Sequence, residues 1–322
     1  MKARLQEVAE YYVAERRPIQ AEFMALAYEY HAKPQNNQEL IDDQIKVLAT
    51  TLELIQTYFF FWDDLDDGAK ERCGKPCWHV LPDTGLLALN DASLLRSLIN
   101  ETMEQNFDGE LLKNLMFLYN RNFFICSMGQ YYDTIASRVK DYNNFTQETY
   151  EQIVWGKSAF YSVKCPILVG LALANKYSPE TYKIVDDVGQ SVGRLVQVHN
   201  DLIDICNAEG TVTGKSGTDI QEGKCSWPAV AVLQKCNPAQ RRVFEENYGS
   251  WEPERAARIQ ELYKELDIIN LYREEVASCR DIFFRKVNAL PKNSTPSAEF
   301  FVEFYNFFNT FTKDLTLMYD NH

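Results

Sequence analysis

The chain has 322 residues, 46% of them hydrophobic, and its 46 acidic and 33 basic side chains leave a formal charge of −13. That length is enough to bury a sizeable core, and the charge excludes a general nucleic-acid binder, whose phosphate contacts need concentrated positive charge. A phosphorylated substrate is not excluded, because bound metal ions can reverse the sign of an acidic pocket. In chain order, the opening MKARLQEVAEYYVAERR mixes charge through its apolar positions and reads poorly as a signal peptide. Segments with apolar residues three and four apart then follow at roughly 36–67, 86–106, 110–137, 146–176, 179–207, 226–248, 252–288 and 296–319. Breaks fall at Pro82, Asp83 and Gly85, at Asn143 to Thr146, in the polar loop from Gly210 to Thr218, and from Pro291 to Pro296. No strand alternates with these helices, so the expected fold is all-α and forms one domain over residues 1–322. The longest apolar run, Cys165 to Ala174, contains Pro166 and is too short to span a membrane; it predicts a core helix. Eight scattered cysteines without a CxxC pair predict neither a disulfide framework nor a zinc site, and point to the reducing cytoplasm.

Two acidic segments carry the chemistry. Asp63, Asp64, Asp66 and Asp67 directly follow five large aromatic residues, Tyr58 to Trp62. On a helix, Asp63 and Asp67 share a face and can reach one metal ion. Crowded carboxylates repel unless cations or water neutralise them, and the preceding aromatics suggest a cavity wall. The second segment, GRLVQVHNDLIDI, places Asn200 and Asp204 four apart with Asp201 beside them. Downstream, TGKSGTDIQEGK brings Lys215, Asp219 and Lys224. Hard oxygen donors suit magnesium, which also keeps waters and phosphate oxygens in its shell. Two acidic helices with lysines nearby would clamp a diphosphate.

These motifs resemble the farnesyl diphosphate synthase family of trans-isoprenyl diphosphate synthases over nearly the whole chain. The first aspartate-rich motif is matched by Asp63, Asp64, Leu65, Asp66 and Asp67, and the GQ-containing helix by Gly129, Gln130, Tyr131, Tyr132 and Asp133. Lys157 and Ser158 stand for the family's Lys-Thr pair, and NDLID, TGKSGTDIQ and GKCSW match the second motif and its loop. The resemblance implies a bundle of long helices around a deep apolar cavity, assembled as a homodimer. It implies three magnesium ions, with manganese as an alternative, facing Asp63, Asp64, Asp67, Asp133, Asn200, Asp204 and Asp219. Asp63, Asp67, Lys157, Asn200 and Lys215 would be catalytic. An allylic isoprenoid diphosphate would meet Tyr58, Phe59, Arg72, Gln130, Lys157, Gln197, Lys215 and Lys224. Tyr58 and Phe59 match positions that restrict chain length, leaving room for C10 or C15 products.

Departures from the family pattern bear on the reaction. The early GGKxxR signature is absent, its nearest counterpart being the segment Tyr30 to Gln35, which offers only Lys33. Arg72 is followed by Cys73 where the family has a second arginine, Val196 stands before Gln197 where it has phenylalanine, and the basic C-terminal tail is missing. A thiol cannot replace a five-donor fork. Those losses would weaken a second diphosphate site, so the expected activity is a terpene synthase that ionises farnesyl diphosphate to a sesquiterpene hydrocarbon or alcohol. The chain also resembles the insect terpene synthases that look like modified farnesyl diphosphate synthases. The alternatives are a farnesyl or geranyl diphosphate synthase and an inactive regulatory subunit of a prenyltransferase.

Overall fold

The computed structural model describes residues 2–13, 17–33, 38–72, 74–206 and 217–319, without the side chains of residues 2 and 311–319. Helices dominate, as the apolar periodicity predicts. They are α1 (Lys2–Glu10), α2 (Ile19–His31), α3 (Gln38–Asp67), α4 (Leu87–Asn106), α5 (Gly109–Val139), α6 (Gln147–Ile153), α7 (Cys165–Leu173) and α8 (Pro179–Cys206). A π-helical segment, Val154–Lys164, joins α6 to α7. Beyond α8 come α9 (Asp219–Glu222), α10 (Trp227–Lys235), α11 (Pro238–Asn247), α12 (Pro253–Glu265), α13 (Ile268–Asn288) and α14 (Ala298–Tyr319). A two-residue ribbon, β1 (Glu71–Arg72) against β2 (Lys75–Pro76), is antiparallel.

The sequence reading differs from the structure in two ways. It assigns no helix before residue 36, whereas α1 and α2 lie there; α1 has only nine residues and a charged composition, so its periodicity is weak. It also reads 226–248 and 252–288 as continuous, and each is broken once. Asn237 caps α11 through a capping box with Gln240, and Pro238 occupies its first turn. Asp267 takes a left-handed φ of 49° and its side chain caps α13.

The apolar run Cys165 to Ala174 is buried throughout and forms the centre of the bundle. One core packs α2, α3, α4, α5, α7, α13 and α14 together. A second gathers α6, α10, α11, α12 and part of α13. Helix α8 serves both, sending Val185, Val188 and Val192 into the first core and Val198 and Leu202 into the second.

Helix α3 buries Ile41, Leu48, Leu52, Ile55 and Tyr58, a stripe at helical spacing. It has no interior glycine or proline and ends at Gly68, whose φ of +62° provides the left-handed stop. The acidic motif therefore occupies a helix C-terminus, where the macrodipole is negative and carboxylates are disfavoured. No basic residue lies in that last turn. Cations from elsewhere in the fold must offset this placement, and a local rule broken in this way marks a functional site.

Buried His199 on α8 shows how the second core responds to acid. Its Nδ1 lies 2.5 Å from the Tyr272 hydroxyl on α13, and burial lowers its pKa to about 4. The unfolded chain binds a proton near pH 6.5 and the folded chain does not, so stability present above pH 6.5 is lost as pH falls toward 4. Between pH 7.5 and 5 this one group should cost about 2 kcal/mol. Thermal unfolding at the two pH values should show a smaller drop for His199→Gln than for the unaltered chain; equal drops would remove His199 from the account.

Candidate active site

Close backbone approach builds the site. At Gly129 on α5, an added Cβ would lie 2.1 Å from the Lys157 backbone nitrogen, and at Gly156 it would lie 2.4 Å from the Gly129 Cα. Only glycine permits this contact. It sets Asp133, one turn along α5, beside Lys157, which a local π-helical register turns into the cavity. π-helical turns of this kind recur at functional sites.

The carboxylates of α3 diverge. Asp63 accepts from Arg72 Nη2 at 2.5 Å and lies 2.9 Å from Lys157 Nζ. Asp64 is 1% exposed and accepts from Arg72 Nε at 2.6 Å and from the Tyr12 hydroxyl at 3.0 Å. The Arg72 guanidinium also stacks 4.3 Å from the centre of the Phe60 ring. Asp67 pairs with Lys224. Asp133 accepts from Lys157 at 2.6 Å and from Lys224 at 3.2 Å. Burial alone would raise the Asp133 pKa, but Lys157 and Lys224 outweigh it and hold the carboxyl below its ordinary value. Burial works against the charge of Lys157, yet Asp133, Asp63 and Asp67 hold its pKa well above the usual lysine value.

Helix α8 forms the opposite wall. Asn200 is exposed and Asp204 half-buried, both facing the cavity. Asp204 also accepts the backbone N–H groups of Asp219 at 2.9 Å and Thr218 at 3.3 Å, tying the loop to the helix. Asp201 points inward, accepting from the Tyr150 hydroxyl, Gln197 Nε2 and Trp227 N at 2.8, 2.6 and 2.8 Å. Burial raises its pKa to about 6, against the pull of those three donors.

The structure thus brings Asp63, Asp67, Arg72, Asp133, Lys157, Gln197, Asn200, Asp204, Asp219 and Lys224 around one cavity of about 350 Å³. Asp64 turns away from it toward Tyr12. Tyr58, Phe59 and Gln130 instead line a second, more apolar cavity of about 480 Å³ with Trp62, Cys126 and Tyr161. Phe60, Asp63, Lys157 and Tyr161 border both. Lys215 and Cys73 lie outside the described residues. Sequence reasoning passed over Gln56, Tyr150 and Tyr161, which also line the first cavity. Gln56 stands seven residues before Asp63, two helical turns on the same face, so periodicity could have found it; Tyr150 offered no comparable signal. Among the described residues, no three acidic, histidine or cysteine side chains gather closely enough to hold a metal by themselves.

Comparison with known proteins agrees with this geometry. The polyprenyl synthetase family model matches residues 2–266. The chain is 36% identical over 225 residues to the farnesyl pyrophosphate synthase of Schizosaccharomyces pombe, covering 69% of this chain and 65% of that protein, just under two-thirds of its length. It is 33% identical over 263 residues to the farnesyl pyrophosphate synthase of Panax ginseng, covering 80% of this chain and 76% of that one. Among solved structures it is similar to the T. brucei farnesyl diphosphate synthase complexed with risedronate, with a TM-score of 0.85, 26% identity, and coverage of 94% of this chain and 88% of that one. In fold the protein is an isoprenoid synthase-type helical bundle. It belongs to the polyprenyl synthetase family.

These relatives overturn the expectation of a terpene synthase. Neither a carbon–oxygen lyase releasing a sesquiterpene nor a lineage among the insect terpene synthases is supported, since the three relatives named above are all farnesyl diphosphate synthases. The structure supplies a physical reason. The segment taken as the degenerate GGKxxR signature begins at the C-terminal end of α2, where Tyr30 and His31 pack on Phe300 of α14. Neither they nor Lys33 lines the cavity. Among the described N-terminal residues, Tyr12 touches the acidic motif, so the lack of donors at Tyr30 to Lys33 does not alter this cavity.

Proposed function

We propose that the protein is a magnesium-dependent short-chain prenyltransferase, a farnesyl or geranyl diphosphate synthase that joins an allylic diphosphate to isopentenyl diphosphate. The convergence of Asp63, Asp67 and Asp133 with Lys157, Lys224 and Arg72 on one cavity, beside an apolar cavity, carries this reading. The whole chain, residues 1–322, is read as one domain, supported by the sharing of α8 between both cores.

The donors fit magnesium. They are hard oxygens, too dispersed to enclose an ion without phosphate oxygens and water, which is how this cation is usually held. The cations already present are paired with carboxylates, so a multiply charged diphosphate needs additional positive charge. Asp63, Asp67 and Asp133 would hold magnesium on one wall and Asn200, Asp204 and Asp219 on the other; three ions, with manganese as a substitute, belong to this reading. Bound magnesium would draw electron density from the bridging oxygen and stabilise the departing diphosphate. Lys157, Lys224 and Arg72 orient the diphosphate as the allylic C–O bond breaks and its electron pair leaves with the diphosphate. The alkene of isopentenyl diphosphate supplies the new C–C bond, and a proton is then lost. Tyr58, Phe59 and Trp62 exclude water from the hydrocarbon chain and bound its length.

The homodimer belongs to the same reading. Phe117, Phe124, Tyr131, Ile135 and Val139 lie along one face of α5 and are exposed, Phe124 by 58% and Tyr131 by 62%. So long an apolar stripe marks an interaction surface. Among the described residues no helix is long and apolar enough to cross a membrane, and the described cysteines are free thiols; both support a cytoplasmic setting. The test is incubation of purified protein with geranyl and isopentenyl diphosphates and magnesium, followed by product analysis. Farnesyl diphosphate is expected. Consumption of the allylic substrate with no elongated product from either dimethylallyl or geranyl diphosphate would overturn the proposal.

A further inference from the structure

Helix geometry gives the second acidic motif two neighbouring pairs, Asn200 with Asp204 and Gln197 with Asp201, each four apart. All four border the same cavity, but Asn200 is exposed to it whereas Asp201 is only 4% exposed. Asp201 is supplied only with donors: the amide of Gln197 on its own helix, the hydroxyl of Tyr150 on α6 and the backbone N–H of Trp227 on α10. A carboxylate so surrounded has little capacity left for a cation in the cavity. It does, however, determine which end of the Gln197 amide points where. With Nε2 donated to Asp201, Oε1 is the end left for Ser158, and the Ser158 hydroxyl donates to it. The serine hydrogen is thereby committed, and its oxygen lone pairs are left for the cavity that Ser158 lines.

We infer that Asp201 is a positioning residue and not a metal ligand: it orients the Gln197 amide so that Ser158 presents oxygen lone pairs, not a hydrogen, toward the carbon that becomes cationic. The inference rests on the prenyltransferase reading. Electron-rich oxygen aimed in advance at developing positive charge favours the transition state over the bound substrate, so its loss lowers kcat more than it raises KM. In Asp201→Asn the new amide can donate to Gln197, turn it over, and leave Ser158 receiving a hydrogen bond where it gave one.

The experiment measures kcat, both substrate KM values, the magnesium concentration for half-maximal turnover and the thermal midpoint in full-length wild type, Asp201→Asn, Gln197→Leu and the double variant. Asp201→Asn should lower kcat by about 10- to 100-fold while the half-maximal magnesium concentration and the KM values stay within about twofold. In the Gln197→Leu background the same change should cost almost nothing further in kcat, because Asp201 acts through that amide. A merely structural role would lower the thermal midpoint without this coupling. A tenfold or greater rise in the magnesium requirement, or kcat losses that multiply in the double variant, would overturn the inference. Should Asp201→Asn fail to fold, Asp201→Glu carries the same test, because it keeps the charge and shifts the acceptor. Lower kcat at an unchanged magnesium requirement supports positioning, and a changed requirement refutes it. If wild type shows no magnesium-dependent turnover of an allylic diphosphate, the prenyltransferase reading fails and this role falls with it; turnover with the wrong coupling pattern defeats only the inference.

Discussion

Replacing Asp67 with alanine should lower turnover by about 10²- to 10³-fold at saturating magnesium and substrates, the scale of losing one charge-stabilising group from a reaction centre. Asp67 has 6% side-chain exposure and its partner is Lys224. In the variant Lys224 keeps Asp133 at 3.2 Å and Glu222 at 3.8 Å, so its charge is not stranded and the fold should survive. Asp63→Ala should behave alike, because Arg72 and Lys157 retain Asp64 and Asp133. Steady-state kinetics with circular dichroism on the same samples decides the matter. Helical protein with near-normal turnover in either variant would remove that residue from catalysis.

Gly129→Ala should be more damaging, although it removes no charge and adds only a single methyl group. The new carbon would sit 2.1 Å from the Lys157 nitrogen and 2.3 Å from the Gly156 carbonyl carbon, both backbone atoms without a side chain to swing aside. Overpacking of this kind costs about 1–3 kcal/mol. Relief requires α5 and the π-helical segment to part, which carries Lys157 away from Asp133. Activity should therefore fall to near background while the protein remains helical with a lowered thermal midpoint. Gly74→Ala is the comparison: Gly74, unlike Gly129, has open space for a Cβ but a φ of +71°, so only backbone strain is tested there. Wild-type kinetics in Gly129→Ala would show that the two helices need no such contact.

Much of this was legible in the sequence, because the relevant signals are local. The stripe from Ile41 to Tyr58 and the Asp63 to Asp67 cluster are each readable in a window of a few turns. Asn200 and Asp204 declare themselves in the same way. Partnerships across the fold are not written locally. Nothing near Asp64 announces Tyr12, 52 residues away, and nothing near Asp201 announces Tyr150, 51 residues away. Asp64 was therefore grouped with Asp63 and Asp67 as a metal-facing residue, whereas packing turns it toward Tyr12. The mistaken reaction rested on local departures read one by one, among them the segment from Tyr30, whose first residues the path of α2 carries onto Phe300 and away from the cavity.

Asp63, Asp64 and Asp67 at the α3 terminus are paired with Arg72, Lys157 and Lys224, so binding at this site is an exchange of ion pairs. A ligand's apparent affinity is then the difference between the ion pairs it makes and those it dismantles, and an anion arriving alone must strip lysines from their aspartates. One arriving with divalent cations offers each side of the old pairs a replacement, amine to phosphate and carboxylate to metal. On the prenyltransferase reading, these ion pairs would favour metal-complexed diphosphates over monophosphates or free carboxylates before any contact with the hydrocarbon chain is made.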